Sequence, residues 1–209
     1  MRGEIVSNLK DYFKNYIPNL IGANNVLYAS VVIPLIKING EYNIIFEVRS
    51  DKLKQQPGEI SFPGGKIECG ETPQNAAIRE FCEELMCSKE SIEIISEVDM
   101  FFSPTRALIH CFLAEIDESL NLDIKNDEVS EVFCVPLSFF ENTKPKEFIN
   151  VIEVIPDEKF QLEEMMIRKN YNWGSTTYPI YFYKYEDKII WGITANITRN
   201  FVKKLNSML

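Results

Sequence analysis

Histidine is nearly absent: there is one, His110, in 209 residues. A single histidine does not make a Ser-His-Asp site or a multi-histidine metal site, and in the apolar run LIHCFLAEI it reads as a strand residue satisfied locally. Cysteine is sparse and unpatterned. The five, at positions 69, 82, 87, 111 and 134, are odd in number and form no Cys-x-x-Cys pair. That argues against a disulfide framework or zinc site, fits a reducing compartment, and predicts buried or half-buried thiols. No segment approaches the ~18 apolar residues of a membrane span. The stretch MRGEIVSNLKDYFKNY is charged throughout and lacks the apolar centre of a signal peptide. The expectation is a soluble cytoplasmic protein with no membrane partner. Basic runs are missing too, and the net charge is −9, which disfavours a surface that tracks nucleic-acid phosphates. An anionic small-molecule substrate stays open if metal cations carry the electrostatics. There is no internal repeat, low-complexity run or linker, so residues 1–209 are read as one domain.

The chain is 45% hydrophobic and 12% aromatic, enough to build a core. Ile5, Leu9, Tyr12, Phe13 and Tyr16 have helical spacing, predicting an amphipathic extension over residues 1–22, closed by Pro18 and Gly22. VLYASVVIPLIKI and EYNIIFEVRS flank Asn39-Gly40, a strong hairpin signal. Residues 50–61 read as a loop with Pro57 and Gly58. Thr72 and Pro73 suit the N-cap and first position of a helix whose apolar face is Ala76, Ala77, Phe81 and Leu85. Residues 92–117 read as two strands broken at Ser103-Pro104, and residues 126–137 as a loop and strand. Residues 138–170 are mixed and partly helical. YPIYFYKYEDKIIWGI reads as a hairpin turning at Glu186-Asp187. Ile193, Ile197, Phe201, Leu205 and Met208 predict a closing helix. Paired strands without regular β-α alternation disfavour a doubly wound parallel sheet.

GGKIECGETPQNAAIREFCEELMC, residues 64–87, gathers Glu80, Glu83 and Glu84 on one helix face. Like charges at these spacings each cost a few tenths of a kcal/mol. A solvated acidic face is one explanation. The other is a cluster of hard oxygen donors for Mg²⁺ or Mn²⁺, fixed by the helix, with Gly64-Gly65 letting backbone approach a ligand. Metal held there would neutralise phosphate charge and activate water.

This segment resembles the Nudix box. Gly65, Glu71, Arg79, Glu80, Phe81, Glu83, Glu84 and Cys87 fall in register; Met86 stands where the family usually has glycine, which bears on the turn that ends the helix. The resemblance implies that Glu80, Glu83 and Glu84 are metal ligands for Mg²⁺ or Mn²⁺, with the Gly64 carbonyl an addition. It implies that Arg79 orients the glutamates and that Gly65 and Glu71 support the loop. The general base varies in the family; a box glutamate or a distant acid such as Glu128 fits.

Upstream, RSDKLKQQPGEISFPGG resembles the extra motif of the coenzyme A pyrophosphatase branch. Arg49, Ser50, Gly58, Phe62, Pro63, Gly64 and Gly65 match. Ile45-Phe46-Glu47 replaces Leu-Leu-Thr, and Lys54 replaces arginine. IIWGITANI resembles the branch's late Trp-Gly-x-Thr-Ala segment. Arg49, Ser50, Lys54 and Lys66 are the candidate substrate-binding residues. Lys52 adds a further cation, and Lys54 acts only as a point charge where arginine would bind phosphate bidentately.

The resemblance implies an α+β Nudix fold, an α/β/α sandwich with a mixed sheet flanked by helices and helices added at both termini. Residues 26–140 form its core, with the box at 65–87, and residues 141–209 supply C-terminal strands and a helix. It implies metal-dependent cleavage of coenzyme A or acyl-coenzyme A to 3′,5′-ADP and (acyl-)4′-phosphopantetheine. Another nucleoside diphosphate derivative, such as ADP-ribose or NADH, remains an alternative, as does a non-catalytic nucleotide-binding module. The terminal elements either form a homodimer interface or cover the sheet.

Overall fold

The computed structural model describes residues 9–16, 26–104, 106–157 and 171–208. Residues 9–13 are helical and residues 14–15 form a turn, so the helix ends before Tyr16; residues 1–8 and 17–22 of the predicted N-terminal helix, with Ile5, Pro18 and Gly22, lie outside the described residues.

Asn39 and Gly40 turn the chain with φ of 53° and 86°, the positive pair that a type I′ hairpin needs. They join β1 (Leu27–Ile38) to β2 (Glu41–Arg49) in antiparallel register, Ile38 opposite Glu41. The loop that follows holds one short strand, β3 (Ile60–Ser61), which pairs with the end of β2. β4 (Gly64–Lys66) then pairs with the start of β1. β5 (Ile92–Phe102) and β6 (Ala107–Ile116) form the second predicted strand pair, and β6 runs parallel to β1. β7 (Val129–Pro136) adds to β2. The result is a seven-stranded mixed sheet.

Alternation along the strands gives this sheet two apolar faces. Val32, Ile36 and Ile45 face helix α1 (Pro73–Glu84) and pack on Ala77, Phe81 and Leu85. Ile33, Ile44 and Phe46 face the other way, toward α2 (Leu137–Asn142) and α3 (Gly192–Met208). The helices therefore flank a mixed sheet, as expected for the sandwich.

Residues 138–170 contribute most of α2 and a strand, β8 (Lys146–Glu153); residues 158–170 lie outside the described residues. β8 joins β9 (Ser175–Tyr185) and β10 (Lys188–Trp191) in a separate three-stranded sheet. The β9–β10 turn falls at Glu186-Asp187, as the sequence predicts, with Glu186 at φ 52°. β8 gave little signal because it is an edge strand, exposed along nearly its whole length, so its two faces carry no burial contrast. Among the described residues, no helix is long and apolar enough to cross a membrane.

Two lesser expectations are settled here. His110 Nδ1 lies 2.6 Å from Glu97 Oε1 on the neighbouring strand, a local partner. All five cysteines are free thiols, but Cys69 is exposed rather than buried, because it lies in the open turn that precedes α1.

Candidate active site on the acidic helix

Helix α1 starts where the sequence predicts. Thr72 Oγ1 accepts from the Asn75 N–H at 3.2 Å, and Pro73 opens the first turn; such a cap contributes about 1 kcal/mol. Ala76, Ala77, Phe81 and Leu85 are buried, which fixes the helix's rotation and hence the direction of each glutamate. The helix ends in a Schellman turn: the Cys87 N–H reaches the Cys82 carbonyl at 3.0 Å and the Met86 N–H reaches the Glu83 carbonyl at 3.4 Å. Met86 occupies the left-handed position of that turn, φ 48°. That geometry explains why glycine suits this point of the motif; here the chain keeps the turn at a cost in backbone strain.

Arg79 ties the outer part of the site together. Its guanidinium donates to Glu71 Oε1 and Oε2 at 3.0 and 3.1 Å, to Glu80 Oε1 at 2.9 Å, to Glu83 Oε2 at 3.2 Å and to the Lys66 carbonyl at 3.2 Å. These bonds to Glu71 and Glu80 stabilise the guanidinium cation further, while the hydrogen bond from Arg79 pulls the Glu71 carboxyl down. Glu80 moves the other way, because burial outweighs its bond to Arg79.

The two glycines before the helix have separate reasons to be there. A Cβ on Gly65 would stand 2.4 Å from the Glu80 carboxylate carbon, and one on Gly64 would stand 2.3 Å from the Ser30 carbonyl oxygen. The Gly64 N–H donates to Glu84 Oε2 at 2.8 Å.

The glutamates share a helix side but not an environment. The Glu83 side chain is 61% exposed, whereas Glu84 is 3% exposed. Burial, then the nearby Glu47 charge, push the Glu84 carboxyl up to about 9. Glu47, on β2, is fully buried and pushed up to about 7, chiefly by burial. Its Oε1 accepts from Ser61 Oγ at 3.0 Å. Sequence reading missed Glu47 as a site residue; the available signal was a lone carboxylate inside the apolar strand NIIFEVR.

Asn126 was missed as well. Its Nδ2 donates to the Glu84 carbonyl at 2.9 Å, and its Oδ1 accepts from the Glu128 and Val129 N–H groups, both at 2.8 Å. One side chain thus fastens the loop carrying Glu128 to the end of the acidic helix. Glu128 is exposed, and its charge acts on both Glu47 and Glu80.

On the opposite face of the sheet lies a cavity of about 660 Å³, between β1, β6, the small sheet and the start of α3. Ala29, Val31, Ile109, Val151, Ile180 and Ile193 give it apolar walls, and Arg49, Gly64 and Gly65 also line it. Of the candidate substrate residues, only Arg49 lines this cavity. Ser50 is buried in the loop, its N–H bonded to the Glu128 carbonyl at 2.8 Å. Lys54 and Lys66 are exposed and away from the cavity, and Lys52 is engaged with Asp127 at 2.8 Å.

Among the described residues, no three His, Cys, Asp or Glu side chains converge closely enough to hold one ion as arranged. Arg79 accounts for part of this, since it draws Glu80 and Glu83 to itself. The donor set still fits a hard divalent cation: the ligand type is carboxylate throughout, and the buried Glu47 Oε2 has no N–H or hydroxyl donor on it.

A model of the NUDIX domain matches residues 28–154. The mouse protein "Peroxisomal coenzyme A diphosphatase NUDT7" is 38% identical over 112 residues, covering 53% of this chain and 48% of the relative, so the match spans about half of each. "Nudix hydrolase 3" of Caenorhabditis elegans is 26% identical over 219 residues, covering 97% of this chain and 84% of the relative. Among solved structures, a MutT/nudix family protein from Enterococcus faecalis shares the fold, with a TM-score of 0.51 at 15% identity over 97% of this chain and 68% of its own. The box carboxylates stand on a capped helix whose apolar face is buried on a mixed sheet, and the matched domain spans that helix and sheet: the chain belongs to the Nudix family, hydrolases of pyrophosphate bonds.

Proposed function

We propose that this chain hydrolyses the pyrophosphate of coenzyme A or acyl-coenzyme A, releasing 3′,5′-ADP and 4′-phosphopantetheine or its acyl form. The observation that carries the reading is the apolar cavity that begins at Gly64-Gly65. A substrate whose pyrophosphate lies at the acidic helix has a flexible, partly apolar arm to place, and this cavity offers apolar walls directly beside that point. The partial similarity to a coenzyme A diphosphatase supports the same assignment.

In this reading Glu80, Glu83 and Glu84 hold Mg²⁺ or Mn²⁺, with the Gly64 carbonyl as a further donor. A bound divalent cation would supply charge neutralisation for the pyrophosphate and for the charge that develops as water attacks phosphorus. Arg79 keeps Glu80 and Glu83 in position, while Gly65 leaves room for Glu80. Arg49, at the cavity wall, meets substrate phosphate; Lys54 and Lys66 contribute longer-range positive charge, and Ser50 shapes the loop. Glu128, exposed and close to the carboxylates, is the general base that accepts the proton of the attacking water.

A second reading, hydrolysis of another nucleoside diphosphate derivative such as ADP-ribose or NADH, is favoured by the departures at Glu47 and Lys54 from the coenzyme A motif. One assay separates the two. Purified protein with coenzyme A is expected to give 3′,5′-ADP only when Mg²⁺ or Mn²⁺ is present. No product from coenzyme A, with metal-dependent AMP from ADP-ribose or NADH, selects the second reading. Binding of nucleotides by calorimetry without any turnover would point to a non-catalytic module.

A further inference from the structure

Where α1 crosses the sheet two carboxylates face each other, and the box accounts for only one of them. Glu84 belongs to the box. Glu47 comes from β2, at the position where the coenzyme A motif carries threonine. Ile45, two residues earlier on the same strand face, packs against the helix with Ala77 and Phe81, so alternation also turns Glu47 toward the helix.

Glu47 is 0% exposed and Glu84 3% exposed. The Glu47 charge raises the Glu84 carboxyl, a side-chain hydrogen bond with Glu84 lowers that of Glu47, and Glu80 adds to the negative charge around Glu84 while Glu128 adds to that around Glu47. Against these stands Arg49, whose Nη1 is 3.9 Å from Glu47 Oε1. That is a loose contact, and the buried Arg49 Nε has no partner of its own. Ser61 satisfies Glu47 Oε1 at 3.0 Å; Oε2 is buried with no N–H or hydroxyl donor on it, and the Glu84 carboxyl is within hydrogen-bonding reach of Glu47. Once ionised, two buried carboxylates beside one poorly engaged guanidinium carry negative charge that a cation of small radius and oxygen preference would balance.

We propose that Glu47 is a fourth carboxylate of the cation centre, offering its Oε2 to the ion that Glu84 binds. The proposal rests on the reading of Glu80, Glu83 and Glu84 as metal ligands, and adds a ligand that the box does not contain. It makes the centre of this chain more anionic than one carrying threonine at the same point.

The test is equilibrium binding of Mn²⁺, followed by the electron paramagnetic resonance of the free ion, with water-proton relaxation reporting on the bound ion. Four proteins are compared: wild type, Glu47→Gln, Glu47→Thr and Glu83→Gln. Melting curves without metal establish that each variant is folded, and threonine is the residue the motif itself carries. Both Glu47 variants are expected to bind Mn²⁺ about 10-fold more weakly. Glu47→Thr is also expected to raise the relaxation of the bound ion, as water replaces the lost carboxylate oxygen. Wild-type affinity in both Glu47 variants, with weaker binding in Glu83→Gln, overturns the proposal while keeping the box as the metal site. Weaker binding with unchanged relaxation also overturns it, since Glu47 then acts through the charge of Glu84 alone. If wild type takes up no Mn²⁺, the metal reading of the box falls, and this proposal with it.

Discussion

On the sheet face that α1 covers, Ile45 is followed two residues later by the fully buried Glu47, which meets Glu84. On the opposite face, Phe46 and Val48 continue an apolar surface toward the cavity. In the proposed reading, chemistry is built on the first face from buried charge, which is costly and must be matched by a cation, a proton or a donor. The second face is apolar surface, which in the same reading recognises shape at little cost in desolvation. The two meet at Gly64-Gly65, whose backbone lines the cavity while the Gly64 N–H holds Glu84. Arg49 stands at the same border, just past a register shift in the pairing of β2 with β7, a break that can re-aim a side chain.

If the faces divide the work in this way, substitutions on each should fail differently. Glu83→Gln, on the charged face, is expected to lower turnover about 10²–10³-fold. Its melting temperature should stay near wild type, because the side chain is 61% exposed. Steady-state kinetics beside thermal melts check this, and near-normal turnover would remove the metal helix from the mechanism. Val151→Asp, in the cavity wall on β8, should leave turnover close to wild type and raise KM for a long-chain acyl-coenzyme A about 10-fold, with a smaller change for coenzyme A. An equal change for both substrates would mean that the cavity does not take the acyl chain.

The buried pair sharpens the contrast further. Glu47 and Glu84 are held above the ordinary carboxyl value of 4.5, at about 7 and about 9. The folded chain therefore keeps protons that the unfolded chain has already released. Their stabilising share is complete below the unfolded value and declines as pH rises through the folded values. In chelator, wild type should lose melting temperature relative to Glu47→Gln between pH 5 and about pH 7; a constant difference would show that Glu47 does not titrate in this window.

The smallest effect is expected at the end of the helix. Met86→Gly should stabilise the protein by about 1 kcal/mol, because glycine adopts the left-handed conformation without the strain that methionine meets there. Denaturant unfolding checks this. An unchanged midpoint would place the strain relief below the entropy that glycine loses on folding.

Much of this is legible in the sequence alone. The Asn39-Gly40 hairpin, the Thr72-Pro73 helix start and the Glu186-Asp187 turn are local, written in residues a few positions apart, and they stand where the sequence placed them. The exposed edge strand β8 could not be read, because its exposure removes the periodic contrast on which strand reading depends. Ser50 looked like a ligand-facing residue from its place in the motif, yet the fold buries it beneath the loop.

By itself, then, the sequence determined the family, the helix that carries Glu80, Glu83 and Glu84, and the partner Arg79, since fixed spacing on one helix is a local property. Tertiary structure alone decided that Glu47 meets Glu84, that Asn126 fastens the Glu128 loop to the helix end, and that a second sheet closes a cavity over Gly64 and Gly65. Those meetings join segments far apart in the chain. They follow from which apolar faces pack together, and no local pattern of residues records that choice.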